Sequence, residues 1–298
     1  MREIAVIALV VIALGCAAPA PPPEPAAKET TAVGTGTVIA GDGVEIAYTV
    51  TGTGAPALVF VHGWMCDQSY WFNQVQDLAQ DHMVVTVDLP GHGRSGFDRA
   101  EWTVAGFGAD VATVVEGLGL EEVILIGHSM GGPVSLETAR LMPGRTRGVI
   151  GVDTFQNVES EWDPEQRKEM LEAMEADFVA FCTTFVTGMF PEGADQDLVR
   201  MISDDMCGGP AEIGSSLMRN FADYDRALAM QSAGVPIRAV NATLWPTALE
   251  VNRKYADFDA VLMEDVGHFL MQEAPETFNH HLRKVIAELE AGTDRTVS

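Results

Sequence analysis

The chain has 298 residues, 47% of them hydrophobic, which is enough apolar material for one large domain or two small ones. Its 18 Lys and Arg residues stand against 43 Asp and Glu residues, giving a formal net charge of −25 at pH 7. A surface this acidic repels nucleic acid and anionic lipid, so we exclude both as charge-driven partners.

The first residues have the pattern of an export signal. An unbroken apolar run over residues 4–14 is too short to span a bilayer as a helix, but it suits the core of a signal peptide. Cys16 follows directly after Leu and Gly, as at the end of a bacterial lipobox, although Ala13 stands where such boxes usually have Leu. We therefore predict a signal peptide over residues 1–15, export to the periplasm or cell envelope, and a lipid anchor on Cys16. Ordinary signal cleavage, with no role for Cys16, is the alternative.

A proline-rich stretch separates this signal from the rest of the chain. Residues 16–35 contain five prolines among alanines, followed by Thr and Gly, which predicts a semi-extended spacer without regular structure. We expect the folded domain to occupy residues 36–298, with its first ordered residues near Thr37.

After this spacer, strand-like and helix-like segments alternate along the chain. Apolar or alternating runs predict strands at 44–50, 57–61, 83–87, 123–126, 148–152, 235–241 and 258–263. Apolar residues at helical spacing predict helices at 67–80, 104–118 and 133–142, from Pro246 onward, and at 278–289. This alternation indicates an α/β fold with a mostly parallel sheet and helices on both faces.

The alternation is interrupted between about residues 159 and 233, where no strand-like run occurs. Met and Phe recur there at helical spacing, as at Met170, Met174 and Phe178. We interpret the stretch as a helical cap inserted after the strand that ends at Asp153. Its Met and Phe side chains either line an apolar acyl pocket or only pack the cap onto the sheet.

Two of the four cysteines, Cys182 and Cys207, fall within this cap. Export permits a disulfide between them, and such a bond would tie two cap helices together. Two buried thiols are the alternative.

The strand at 123–126 runs directly into Gly127-His128-Ser129-Met130-Gly131 and then into a helix. A sharp turn from strand to helix needs glycines beside its central residue, and it exposes that residue at the carboxyl end of the strand. Gly-x-Ser-x-Gly alone occurs by chance in many chains, but the strand before it and the helix after it favour catalysis. Ser129 is therefore the candidate nucleophile, and the Met130 N–H can point at a developing oxyanion.

Four segments, in this order, resemble the signature of α/β-hydrolase fold enzymes that use a serine nucleophile. They are His62-Gly63-Trp64, the run Asp88-Leu89-Pro90-Gly91-His92-Gly93-Arg94-Ser95, Gly127-His128-Ser129-Met130-Gly131-Gly132, and Gly267-His268. The resemblance covers about residues 37–290. It implies the α/β-hydrolase fold, but it says little about the substrate, because this fold hosts many chemistries.

The resemblance also implies roles for individual residues. His268 follows the last strand after a glycine and stands in the family's position of the general base that Ser129 needs. The backbone N–H groups of Trp64 and Met130 correspond to the oxyanion hole. Trp64 and His128 are predicted to contact the substrate.

The acid of a Ser-His-Asp triad departs from the commonest family pattern, because residues 241–247 contain no Asp or Glu. Asp153 ends the strand that follows the Ser129 strand and its helix, a position that some family members use. Catalytic groups in open α/β sheets gather at the carboxyl ends of strands. We predict Asp153 as the acid, with a turn or capping role as its alternative. Glu250 and Asp265 are weaker candidates.

A serine nucleophile implies acyl chemistry, whereas family members that open epoxides or displace halide use Asp at this position. We therefore expect a serine hydrolase without a cofactor or metal ion, a carboxylesterase that acts on small to medium acyl esters through an acyl-enzyme. Lactone, amide or carbon–carbon hydrolysis and perhydrolysis are alternative reactions. A ligand-binding or signalling protein with negligible turnover is the alternative of another class.

Overall fold

A mostly parallel β-sheet forms the centre of the computed structural model, which describes residues 33–292. The strands within that range are β1 (Val33–Ile39), β2 (Glu45–Thr51), β3 (Ala57–Val61), β4 (Val84–Val87), β5 (Val123–His128), β6 (Thr146–Val152), β7 (Ile237–Ala242) and β8 (Phe258–Met263). Their spatial order is β1-β2-β4-β3-β5-β6-β7-β8. β2 pairs antiparallel with β1 and β4, whereas the pairs from β4 to β8 are parallel.

A 3₁₀ turn at Gln68–Trp71 precedes the first of the α-helices described in the same range. These helices are α1 (Phe72–Leu78), α2 (Val104–Gly117), α3 (Gly131–Leu141), α4 (Pro164–Ala176), α5 (Phe178–Thr187), α6 (Gln196–Cys207), α7 (Ala211–Ala222), α8 (Arg226–Ser232), α9 (Leu249–Asn252), α10 (Leu270–Glu273) and α11 (Pro275–Gly292).

The order of the strands determines which helices share a face of the sheet. The chain moves from β3 to β4 in one direction and from β4 past β3 to β5 in the other, so right-handed crossovers place α1 and α2 on opposite faces. α2 packs on α3 and α3 on α8, while α1 packs on α10 and α11. The central strands β3, β4 and β5 are buried along their whole length, which explains their nearly continuous Val, Ile and Leu.

The observed elements confirm the predicted α/β-hydrolase fold and differ from the prediction at several places, among them the unpredicted short helix α10. The sheet contains an unpredicted strand, β1, which begins at Val33, before the expected start at Thr37 and inside the predicted spacer. Its Gly and Thr residues hid the strand, but it pairs with β2 over its full length. The helix predicted at 67–80 is a 3₁₀ turn followed by α1, and the helix expected from Pro246 begins at Leu249.

The N-terminal predictions concern residues that the structure does not describe. The signal peptide over residues 1–15, the lipid anchor on Cys16 and most of the spacer at 16–35 lie outside the described residues. Among residues 33–292, no helix has both the length and the apolar character needed to cross a membrane.

The stretch predicted as a cap consists of α4 to α8, which we call the helical insertion (residues 164–232). It lies between β6 and β7, and the described residues between those strands form no strand. Several polar contacts fix it to the body of the protein. The Trp64 indole Nε1–H donates to the carbonyl of Gly214 at 2.9 Å, and the Tyr224 hydroxyl donates to Glu137 at 2.8 Å. Because Trp64 follows β3, the insertion is held at the carboxyl edge of the sheet.

A disulfide between Cys182 and Cys207 joins α5 to α6 within the helical insertion. The prediction of this pairing is confirmed, and the alternative of two buried thiols is wrong. Cys66 is the free cysteine of the described residues, and it is buried.

Thiol titration checks the disulfide directly. A denatured, unreduced chain that lacks residues 1–16 should contain one free thiol, Cys66, and the reduced chain should contain three. Because the bond closes a loop in the unfolded chain, replacing both cysteines with alanine should lower the free energy of unfolding by about 3 kcal/mol. Three thiols before reduction would contradict the bond.

Candidate active site

Ser129 lies at the turn between β5 and α3, in a backbone conformation that L-residues rarely adopt. Its φ angle is +52°, in the left-handed region, and its N–H donates to the carbonyl of Val152 at 3.0 Å. A Cβ on Gly127 would collide with the carbonyl of Gly131, and a Cβ on Gly131 would collide with the carbonyl of Val61. The two glycines are therefore required for the close approach that the sequence predicted, and the turn places Ser129 at the carboxyl edge of the sheet.

His268 and Asp153 form a buried hydrogen-bonded pair at the same edge. The His268 Nδ1–H donates to Asp153 Oδ2 at 2.5 Å, and the other carboxylate oxygen accepts the Ala242 N–H at 2.9 Å. Asp153 follows β6 directly, with a left-handed φ of +44°, and only 1% of its surface is exposed. The carboxylate is thus held from both sides, with one oxygen aimed at the imidazole.

The other acidic candidates are engaged elsewhere in the structure. Glu250 pairs with Arg253 on the exposed side of α9, at 2.6 Å. Asp265 is exposed and lines a different cleft, next to Pro191. Of the three carboxylates that the sequence offered, Asp153 is the one placed against His268.

Three consecutive backbone N–H groups of the loop that carries His268 donate hydrogen bonds. The N–H groups of Gly267 and Phe269 both donate to the Glu273 carboxylate, at 2.9–3.2 Å. The N–H of His268 itself donates to the carbonyl of Met189 in the helical insertion, at 2.9 Å. Burial raises the pKa of Glu273, and the two N–H donors counteract that effect. The loop is fixed by the end of α10 on one side and by the insertion on the other.

Sequence analysis missed Glu273, although its position five residues after His268, in the helix that follows the loop, was visible. We expect Glu273→Gln to lower kcat about tenfold with little change in KM. The neutral amide weakens the charge-assisted bonds, and its NH2 group replaces the oxygen that faces the Gly267 N–H. Esterase kinetics of this variant measure the effect. Glu276→Gln, in the exposed first turn of α11, is the control. Equal kcat for the two variants would contradict the positioning role.

His128 supports the base in a way that the sequence did not indicate. Its Nε2–H donates to the carbonyl of His268 at 2.9 Å, and the centroids of the two rings are 4.6 Å apart. It also lines the cavity beside Ser129, where the sequence predicted a contact with substrate. Burial lowers the pKa of His128 well below its usual value, so the ring stays neutral beside His268.

A small apolar cavity of about 90 Å³ adjoins Ser129 and His268. Trp64 and Met130, the residues predicted for the oxyanion hole, both line it. The helical insertion contributes much of the apolar wall, with Phe185, Met189, Met206, Met218 and Phe221. Some Met and Phe side chains of the insertion thus line a cavity and others pack it onto the body, while an acyl role for the cavity stays a prediction. These five line the cavity, whereas Phe178 packs against the Trp64 ring at 6.0 Å.

A second, wider space adjoins the apolar cavity and the same reactive groups. We call it the polar cleft because more of its lining is polar than in the apolar cavity. It has a volume of about 650 Å³, and Ser129, His268 and Asp153 all line it. Its remaining walls come from the loop before α4, from the helical insertion and from Trp245, whose ring lies 5.6 Å from the His268 ring. Ser129 and His268 thus line both the small apolar cavity and the wider polar cleft.

Two more buried histidines support the loops around the site. The His62 Nδ1–H donates to the carbonyl of Gly63 at 2.8 Å, and its Nε2 accepts the Leu89 N–H at 3.0 Å. This joins the Trp64 loop to the loop after β4. Burial lowers the pKa of His62, and it lowers that of His92 to about 3.

These depressed pKa values predict a loss of stability in mild acid. His62, His92 and His128 are neutral in the native protein but bind protons in the unfolded chain below about pH 6.5. The unfolded state then binds more protons, so the free energy of unfolding should fall as pH falls, by about 1.4 kcal/mol per pH unit for each histidine. Urea unfolding between about pH 7.5 and 5.5 measures this. A flat stability profile, or titration of these imidazoles near pH 6.5 by NMR, would contradict it.

The described residues offer no ready site for a metal ion. Between residues 33 and 292, no group of three or more His, Cys, Asp or Glu side chains is placed to hold one.

Comparisons with known proteins agree with this architecture. The sequence model of the family described as "Alpha/beta hydrolase family" matches residues 58–281 of the chain. Over 132 residues the chain is 38% identical to a non-heme haloperoxidase of Rhodococcus erythropolis, covering 43% of this chain and 48% of that protein. Over 258 residues it is 23% identical to 3-oxoadipate enol-lactonase 2 of Acinetobacter baylyi, covering 84% of this chain and 96% of that protein. A thermophilic esterase from Thermogutta terrifontis has the same fold, with a TM-score of 0.73 at 23% identity, covering 87% of this chain and 99% of that one.

The family match covers most of the chain, from β3 into α11. The chain therefore belongs to the alpha/beta hydrolase family of enzymes. The chain spans only 29% to 48% of the length of curated relatives that it matches at 31% to 38% identity.

Proposed function

We propose that the protein is a serine carboxylesterase that hydrolyses esters of short acyl chains through a Ser129–His268–Asp153 triad. The observation that carries the proposal is the 2.5 Å contact between His268 Nδ1 and Asp153 Oδ2, with Ser129 on the strand-to-helix turn beside the same imidazole. Export, and a lipid anchor on Cys16, are parts of the proposal that rest on the sequence alone.

The chemistry follows from the positions of these groups. His268 carries its proton on Nδ1, facing Asp153, so its Nε2 is free to accept the hydroxyl proton of Ser129 as Ser129 attacks the ester carbonyl. The N–H groups of Trp64 and Met130 then stabilise the oxyanion. Collapse of this intermediate releases the alcohol, which takes the proton from His268 and leaves an acyl-enzyme. Water, activated by the same imidazole, releases the carboxylic acid and restores the serine.

The volume of the apolar cavity limits the acyl group. Its 90 Å³ is smaller than the ~150 Å³ apolar cavity that accommodates a benzene ring. An acyl chain of about two to four carbons fits this space. The proposal is thus narrower than the small to medium range expected from the sequence.

Lactone hydrolysis is the second candidate, because the enol-lactonase of Acinetobacter baylyi matches the chain along nearly its whole length. The same triad would open a lactone, but the acyl and alcohol parts then remain one molecule. Both must fit across the junction of the apolar cavity and the polar cleft.

A panel of p-nitrophenyl esters, from acetate to dodecanoate, tests the proposal. We expect a burst of nitrophenol followed by steady turnover, with kcat/KM highest at acetate to butyrate and about tenfold lower or more for octanoate. Small lactones measured alongside decide between the two candidates. No burst and no turnover on any ester or lactone, combined with thermal stabilisation by the same compounds, would instead support a ligand-binding protein.

A further inference from the structure

One arginine in the polar cleft carries a charge that no carboxylate of the described protein neutralises. Arg226 lies half-buried at the start of α8, and its guanidinium donates to the carbonyl of Ser160. Within residues 33–292 it forms no ion pair. The other arginines of the helical insertion each pair with a carboxylate: Arg167, Arg200 and Arg219.

The setting of Arg226 favours an external anion. Burial lowers the pKa of Arg226, and no neighbouring charge offsets that effect. A guanidinium that has lost water without gaining a counter-ion gains more from an incoming anion than an exposed one does. Its planar fork of N–H donors matches both oxygens of a carboxylate. The bond to Ser160 holds the group to the loop at the cleft wall.

The polar cleft also contains three carboxylates. Asp153 is bonded to His268 and to the Ala242 N–H, and the other two differ from Arg226 in their settings. Glu161 and Asp163 are exposed, so solvent screens their charges. Asp163 is occupied as the N-cap of α4, where its Oδ1 accepts the N–H groups of Glu165 and Gln166 at 3.0 Å. The half-buried guanidinium is therefore the group of this cleft that can fix the position of an anion.

We propose that Arg226 binds a carboxylate on the alcohol part of the substrate. The apolar cavity beside Trp64 and Met130 takes the short acyl chain, and the polar cleft that joins Ser129 and His268 to Arg226 takes the alcohol part. The substrate class is an ester of a short-chain acid with an anionic alcohol or phenol. This inference rests on the proposed esterase function and assigns the residue that selects the leaving group.

A matched pair of esters tests the inference. 3-Carboxyphenyl butyrate and 3-carbamoylphenyl butyrate have the same shape, but only the first carries a charge. We expect kcat/KM to be about tenfold higher or more for the carboxylate ester, and this preference should shrink at high salt. Arg226→Gln should abolish the preference, because it should lower kcat/KM on the carboxylate ester about tenfold and affect the carbamoyl ester much less. Arg145→Gln, in the turn before β6 at the opposite edge of the sheet, should keep it.

The outcomes separate this inference from the proposed function. Equal kcat/KM for the two esters, or a preference that survives in Arg226→Gln, overturns the role of Arg226 and leaves the esterase in place. If neither ester is hydrolysed, the proposed function fails. The role of Arg226 is then tested independently by calorimetry, which measures the affinity of the protein for 3-hydroxybenzoate and 3-hydroxybenzamide. Tighter binding of the benzoate that is lost in Arg226→Gln supports the site, and equal binding of both compounds overturns it.

Discussion

Replacing Ser129 with alanine should lower kcat on p-nitrophenyl butyrate by roughly a millionfold, the scale expected when the nucleophile of a triad is lost. The substitution removes one oxygen atom and leaves the turn of β5 into α3 unchanged. Alanine and serine adopt a left-handed φ of +52° about equally well. We therefore expect the thermal midpoint to stay within a few degrees of the parent value.

The matched control for this variant is Ser203→Ala. Ser203 is also a buried serine, 6% exposed, but it lies on α6 in the helical insertion. It should retain the parent's kcat. Ester hydrolysis by Ser129→Ala at a rate near that of the parent would show that another group attacks the ester.

Asp153→Asn should lower kcat by about 10⁴-fold while the protein stays folded. The asparagine oxygen can still accept the Ala242 N–H, but its amide group then presents hydrogen atoms to His268 Nδ1. The imidazole must accept there and carry its proton on Nε2, so it can no longer take the proton of Ser129. Asparagine also tolerates the left-handed φ of +44° that Asp153 adopts, so the backbone should not be strained.

Asp265→Asn is a close control, because Asp265 also has a left-handed φ, of +60°, and also follows a strand of the sheet. It is exposed and lies on a different cleft, so its variant should keep the parent's kcat. Full activity in Asp153→Asn together with loss of activity in Asp265→Asn or Glu250→Gln would move the acid to that residue.

The fold was predictable because its signals are local. Each central strand is a continuous apolar run, and the glycines around Ser129 mark a turn that permits no Cβ. β1 was missed because an exposed edge strand of Gly and Thr has no apolar run, and its evidence is its pairing with β2. Pairing between two segments cannot be read from the composition of one of them.

Some residues of the candidate site were also predictable from the sequence, and others were not. Ser129, His268 and Asp153 were named from their places at strand ends and from the resemblance to α/β-hydrolase fold enzymes. Their catalytic roles stay predictions that the contact between His268 and Asp153 supports. Glu273 acts through backbone N–H groups, which leave no trace in residue types. The importance of Arg226 depends on which carboxylates are absent around it, and only the folded arrangement determines that.

Covalent labelling of Ser129 is the most direct test of the catalytic account. We expect diethyl p-nitrophenyl phosphate to add one diethylphosphoryl group per chain, located by peptide mass spectrometry on Ser129. Labelling should be absent in Ser129→Ala and much slower in Asp153→Asn, because the serine is activated through His268. An unlabelled protein, a label on another residue, or equal labelling rates in the parent and in Asp153→Asn would contradict a Ser129–His268–Asp153 triad.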